Sequence, residues 1–148
     1  MVGDWDGNGT TTIGLYRPSI NTFLLRNSNT FGPPDLIIPF GAPGDLPVVG
    51  DWDGNATTTI GLYRPSTNTF FLRSSNTFGP PDLIIPFGAP NDLPVVGDWD
   101  GNGTATVGIY RPSTNTFALS NNNTSVFATI PFGAPNDLPV VGDWDGGP

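Results

Sequence analysis

At 148 residues with a net charge of −8, the chain is long enough to bury a core and too acidic for nucleic acid, which demands clustered Lys and Arg. Every acid is Asp and every base is Arg. Cys, His, Lys, Glu and Gln are absent, which removes disulfides, Schiff-base chemistry and the commonest general base and metal ligand. No run of about 18 apolar residues is present, so membrane insertion is not expected.

The chain repeats. Gly3, Gly50 and Gly97 open units 3–49, 50–96 and 97–141, and the first two units differ at only five positions: Gly9/Ala56, Ile20/Thr67, Leu24/Phe71, Asn27/Ser74 and Gly44/Asn91. The 20 Gly and 17 Pro reach a level associated with disorder, but the apolar residues recur in strict register, which argues for order. No charged start followed by an apolar stretch marks a signal peptide.

Each unit reads as four strands. In chain order the second, third and fourth fall at 11–17, 22–26 and 36–40; the first is seen whole at 46–52. Pro39 cannot donate to a ladder, which makes the fourth an edge strand. Ala42-Pro43-Gly44-Asp45 reads as a type II turn, and Gly44 is exchanged for Asn91 and Asn136, the other residue type that tolerates positive φ. Phe23, Phe70 and Phe117 are fixed, as are Leu25, Leu72 and Leu119, whereas the position between reads Leu24, Phe71, Ala118. A packed interior resists such volume changes, so the fixed pair is placed inward. Ile38, Ile85 and Ile130 are placed with it, as are Phe40, Phe87 and Phe132; Ile37, Ile84 and Thr129 face outward.

Four antiparallel strands per 45–47 residues is the measure of a β-propeller blade; a solenoid is the competing repeat architecture, but its coils are usually shorter and carry fewer Pro-broken strands. The expected fold is all-β: three tandem blades plus one extra first strand, residues 138–148, completed by oligomerisation. Three blades are too few to close a ring. The extra strand predicts strand exchange with another copy, head to tail, giving a homodimeric six-bladed ring or a filament.

The most specific motif is the acidic loop that opens each unit. Asp4, Asp6 and Asn8 alternate as in calcium loops, with Thr10 offering a backbone carbonyl and Thr12 standing at the ninth position. The equivalent sets are Asp51, Asp53, Asn55, Thr57, Thr59 and Asp98, Asp100, Asn102, Thr104, Thr106. The competing reading is an ion-free Asx-turn bonding its own backbone. Ala56 replaces a glycine where the turn calls for positive φ, at a cost of about 1 kcal/mol. In the fourth copy, Gly146-Gly147-Pro148 follows Asp145, so no metal is expected there.

The run Gly-Asp-Trp-Asp-Gly-Asn-Gly followed by Ile-Gly-Leu-Tyr-Arg-Pro resembles the FG-GAP repeats of integrin-type propellers and related bacterial secreted proteins, across nearly the whole chain. The resemblance implies a propeller fold, Ca²⁺ in the loop between the first two strands, and an extracellular or cell-surface location. Each loop here keeps two carboxylates, so affinity is expected to be weak, on the order of 10⁻⁴–10⁻³ M.

Arg17, Arg64 and Arg111 are read as partners of Asp45-like or loop carboxylates. Trp5, Trp52 and Trp99 are read as packing between blades rather than as sugar platforms. The carboxylates repeat identically in every unit, whereas an active site is one asymmetric constellation; no enzyme is expected. The function read from the sequence is a structural module that self-associates. The alternative is a ligand-binding, lectin-like or adhesion module taking carbohydrate or another protein at blade interfaces.

Overall fold

A computed structural model of the chain describes residues 1–144. It holds three four-stranded antiparallel sheets, each a meander of consecutive strands. The first comprises β1 (Val2–Gly3), β2 (Thr12–Arg17), β3 (Thr22–Leu25) and β4 (Leu36–Pro39). The second comprises β5 (Leu46–Gly50), β6 (Thr59–Arg64), β7 (Thr69–Leu72) and β8 (Leu83–Pro86). The third comprises β9 (Leu93–Gly97), β10 (Thr106–Arg111), β11 (Thr116–Leu119) and β12 (Ala128–Pro131). Among the described residues the one helical element is a 3-10 turn at Pro18–Ile20, and no helix is long and apolar enough to cross a membrane.

β2 starts one residue later than the sequence reading, and β3, β4 and β5 stop one or two residues short of it. β5 ends at Gly50 because Asp51 turns its carboxylate onto the loop that follows. Pro39, Pro86 and Pro131 end outermost strands, where a missing N–H breaks no ladder. The Ala-Pro-Gly/Asn-Asp turns take the conformation their sequences demand: Gly44, Asn91 and Asn136 have φ of 88°, 72° and 75°.

Alternation along each strand sends one face into a junction between sheets. Trp5, Phe23, Leu25 and Ile38 of the first sheet pack with Ile60 and Leu62 of the second. Trp52, Phe70, Leu72, Ile85 and Phe87 of the second sheet pack with Val107 and Ile109 of the third. Phe23, Leu25, Phe70 and Leu72 are fully buried, while Leu24, Phe71 and Ala118 are half-buried, as their variability implies. Tyr16 and Phe23, with their counterparts Tyr63/Phe70 and Tyr110/Phe117, hold tilted ring pairs 4.7–4.8 Å apart.

One expectation needs correction. Ile130 and Phe132 are exposed rather than inward, because among the described residues no fourth sheet lies against the third. Residues 138–144 pair with no strand, and residues 145–148 of the expected extra strand lie outside the described residues. Within the described residues the three sheets do not close into a ring, in keeping with the expectation that three are too few, and two sheet faces are left open.

Candidate functional site

Two features repeat with polar chemistry: the acidic loops at one end of the sheets and the Arg–Asp junctions at the other. In the first loop, Asp4 accepts from the N–H of Asn8 at 3.1 Å and of Gly9 at 2.7 Å. Asn8 Oδ1 accepts from Thr10 N–H at 2.8 Å. The second and third loops repeat this with Asp51 accepting from Gly54, Asn55 and Ala56, and Asp98 from Asn102 and Gly103. Asn55 and Asn102 accept from Thr57 and Thr104. These bonds close the turn without an ion. They also hold Asp4 and Asp98 below the usual carboxylate value. Desolvation raises both, but the loop N–H groups, with Asp6 and Asp100 alongside, outweigh it.

The donor set for a cation is partial. A carboxylate that accepts two N–H bonds, as Asp4 and Asp98 do, keeps further lone pairs. Thr12, Thr59 and Thr106 do not join them. They are buried at the starts of β2, β6 and β10, and their hydroxyls donate to the carbonyls of Gly3, Gly50 and Gly97. No group of three or more acidic side chains is gathered to hold a metal among the described residues. Ala56 adopts φ 68°, the strained conformation its position predicts.

The loops also join the sheets. Thr58 N–H donates to the Asp4 carbonyl at 2.7 Å, and its hydroxyl accepts from Asp4 N–H at 3.0 Å. Ala105 N–H donates to the Asp51 carbonyl in the same way. Trp5 and Trp52 are buried beside these contacts, and each indole donates to a strand carbonyl, that of Ile13 or Ile60. Trp5 and Trp52 therefore pack between sheets, whereas half-buried Trp99 packs against residues of the third sheet alone.

At the other end, Arg64 grips Asp45 with two bonds, Nε to Oδ1 and Nη2 to Oδ2, both 2.8 Å. Arg111 grips Asp92 at 2.9 and 2.7 Å. The fork geometry matches guanidinium to carboxylate, and each Asp raises its arginine's pKa. Asp45 and Asp92 are buried and accept in addition from the Ala42 and Ala89 N–H of their own turns. Gly41 and Gly88, with φ of 114° and 105°, let Leu62 and Ile109 of the next sheet approach; a Cβ on Gly41 would fall 2.5 Å from Leu62.

One arginine pair lies outside the sequence reading. Arg73 is buried, pairs with Asp82 at 3.3 Å and bonds Ser75, Thr77 and the Pro80 carbonyl, clamping the loop between β7 and β8. Arg26 does the same with Asp35, Ser28 and Pro33. The signal was available: in the third unit Ser120 replaces the arginine, the carboxylate partner is gone, and the loop is two residues shorter. Asn122 organises that loop instead.

The outer faces complete the inventory. Ile13 and Leu15, on the face of β2 equivalent to buried Ile60 and Leu62, are 52% and 65% exposed. Comparison with known proteins found no matching family model, no matching curated protein and no matching solved structure.

Proposed function

We propose that the chain is a non-enzymatic structural module whose three sheets are propeller blades and whose copies join head to tail. One observation carries this reading. The interface buried twice inside the chain recurs as two exposed halves at its two ends. Ile13 and Leu15 are the uncovered counterparts of Ile60 and Leu62; Ile130 and Phe132 are the uncovered counterparts of Ile85 and Phe87. Large contiguous apolar patches are rare on monomers and mark interaction surfaces.

Strand exchange extends the junction. β1 meets β2 over Val2↔Ile13 and Gly3↔Thr12, whereas β5 meets β6 over five registers, beginning Leu46↔Tyr63 and Pro47↔Leu62. Residues 138–142 repeat the β5 sequence Leu-Pro-Val-Val-Gly and are exposed or half-exposed. Set on β2 of another copy, Val140, Val141 and Gly142 replace Met1, Val2 and Gly3 nearly like for like. Leu138 and Pro139 then add two registers opposite Tyr16 and Leu15. The contact is heterologous, so two copies give a six-bladed ring if the rotation closes and a filament if it does not.

Light scattering on the purified chain tests this. Twice the 15.6 kDa chain mass supports the ring, and mass growing with concentration supports the filament. A monomer throughout the micromolar range overturns assembly. That outcome would favour ligand binding in the two open clefts between adjacent sheets, of about 540 and 600 Å³, which hold Arg64 with Phe71 and Arg111 with Phe87. Weak Ca²⁺ binding in the acidic loops belongs to the same proposal. It is supported by the alternation of Asp4, Asp6 and Asn8, and of their counterparts, along loops whose carboxylates keep lone pairs beyond the N–H bonds they accept.

A further inference from the structure

We infer that Arg17 of one copy and Asp137 of another form the ion pair that sets the register of the head-to-tail junction. The inference rests on the assembly reading above and adds to it the partner's contact residues. Each internal junction contains one such pair. Asp45 and Asp92 stand in the turns after β4 and β8, and Arg64 and Arg111 end β6 and β10. The third copy of the turn follows β12 and presents Asp137; the remaining copy of the arginine ends β2 as Arg17.

The Asp137 turn is already built. Asp137 N–H donates to the Ala134 carbonyl at 3.1 Å, and Ala134 N–H donates to Asp137 Oδ2 at 2.8 Å. Asp45 and Asp92 make the same two bonds at the same distances. What Asp137 lacks is the guanidinium, and it is exposed where Asp45 and Asp92 are buried. Arg17 is exposed, and its side chain forms no hydrogen bond or ion pair with the described residues.

A second contact fixes the same alignment. Gly133 has φ 110°, matching Gly41 and Gly88, and lies against the Tyr110 hydroxyl and Asp137 as they lie against Tyr16 with Asp45 and Tyr63 with Asp92. Gly41 and Gly88 also receive Leu62 and Ile109, while Gly133 receives no such side chain. Leu15 of the second copy, two residues before Arg17, is the residue that fits there. Once covered, the pair loses solvent and gains strength, and a like-charged substitution at either end opposes docking.

Charge reversal with mixing tests the pairing. Arg17→Asp alone sets Asp against Asp137, and Asp137→Arg alone sets Arg against Arg17. Each variant is expected to keep the wild-type fold by circular dichroism at dilution: both side chains are exposed, and Asp137→Arg gives up only the bond from the Ala134 N–H, while the Asp137 N–H to Ala134 carbonyl bond stays. Each is expected to weaken self-association on the order of 100-fold. An equimolar mixture restores opposite charges at both junctions and is expected to recover wild-type assembly. If wild type assembles and the single variants assemble equally well, or if mixing restores nothing, the Arg17–Asp137 pair is overturned and assembly stands. If wild type itself is monomeric, the assembly reading fails together with the pair.

Discussion

The second sheet and its two neighbours share a sequence but not an environment. Ile60 is fully buried and Ile13, the same residue at the same register, is half exposed; Phe87 is 8% exposed and Phe132 73%. The run around Ile13 matches that around Ile60 from Thr11 to Ser19, and Phe132 shares with Phe87 the run Ile-Pro-Phe-Gly-Ala-Pro-Asn-Asp. The whole difference is a neighbouring sheet, present on both sides of the second and on one side of each of the others. A repeat array therefore supplies its own control: each side chain occurs with and without the contact under study.

The largest effect expected from that comparison is Ile60→Ala against Ile13→Ala. Ile60 packs with Trp5, Phe23 and Leu25, so truncation removes its transfer energy and leaves a cavity, at about 2–5 kcal/mol. Ile13→Ala in dilute solution is expected to stay within about 0.5 kcal/mol. Denaturant melts of both variants check this. Equal losses in dilute solution would show that the outer face is already covered. At concentrations where the chain assembles, Ile13→Ala is expected to lower association while leaving the dilute midpoint unchanged.

Much of this was legible in the sequence, for a physical reason. The period, the strand order and the positive-φ turns are local properties, and each is written three times with tolerated exchanges. Gly44, Asn91 and Asn136 mark one turn, and Leu24, Phe71 and Ala118 mark one half-buried position. The exposure of Ile130 and Phe132 was not legible, because their sequence matches Ile85 and Phe87 and only the neighbouring sheet distinguishes them. The roles of Thr12, Thr59 and Thr106 were missed for a related reason. Loop spacing places them as ligands, whereas each is the first paired residue of its strand, opposite Gly3, Gly50 or Gly97, with its hydroxyl turned to that glycine's carbonyl. Arg26 and Arg73 were passed over although their Asp35 and Asp82 partners vanish together with the arginine in the third unit, because the paired loss is legible only when the units are compared at both positions at once.

A smaller effect distinguishes the second acidic loop from the other two. Ala56 holds φ 68°, where Gly9 and Gly103 hold 84° and 87°. No atom lies within 4 Å of a Cβ built on Gly9 or Gly103, so a substitution there meets backbone strain alone. Ala56→Gly is expected to stabilise by about 1 kcal/mol, and Gly9→Ala or Gly103→Ala to destabilise by about the same. Thermal melts of the three variants check the sign. A destabilising Ala56→Gly would mean that the lost chain entropy outweighs the relieved strain.

The smallest effect is that of calcium, and the same loops sharpen it. With a dissociation constant on the order of 10⁻³ M, 1 mM Ca²⁺ stabilises by only about 0.4 kcal/mol per loop. That is a shift of about 1 °C per loop for a chain of this size. The comparison between loops makes so small a shift readable. Asp4, Asp51 and Asp98 spend their oxygens on the same N–H groups in all three, so an ion adds its energy on top of a turn that is already closed. Asp6→Asn, Asp53→Asn and Asp100→Asn each remove the second carboxylate while leaving those bonds in place. The triple variant is expected to lose the calcium shift and keep its melting temperature in chelator. A wild-type melting temperature that is the same in calcium and in chelator would leave the loops as self-closing Asx-turns, with their carboxylates serving the backbone alone.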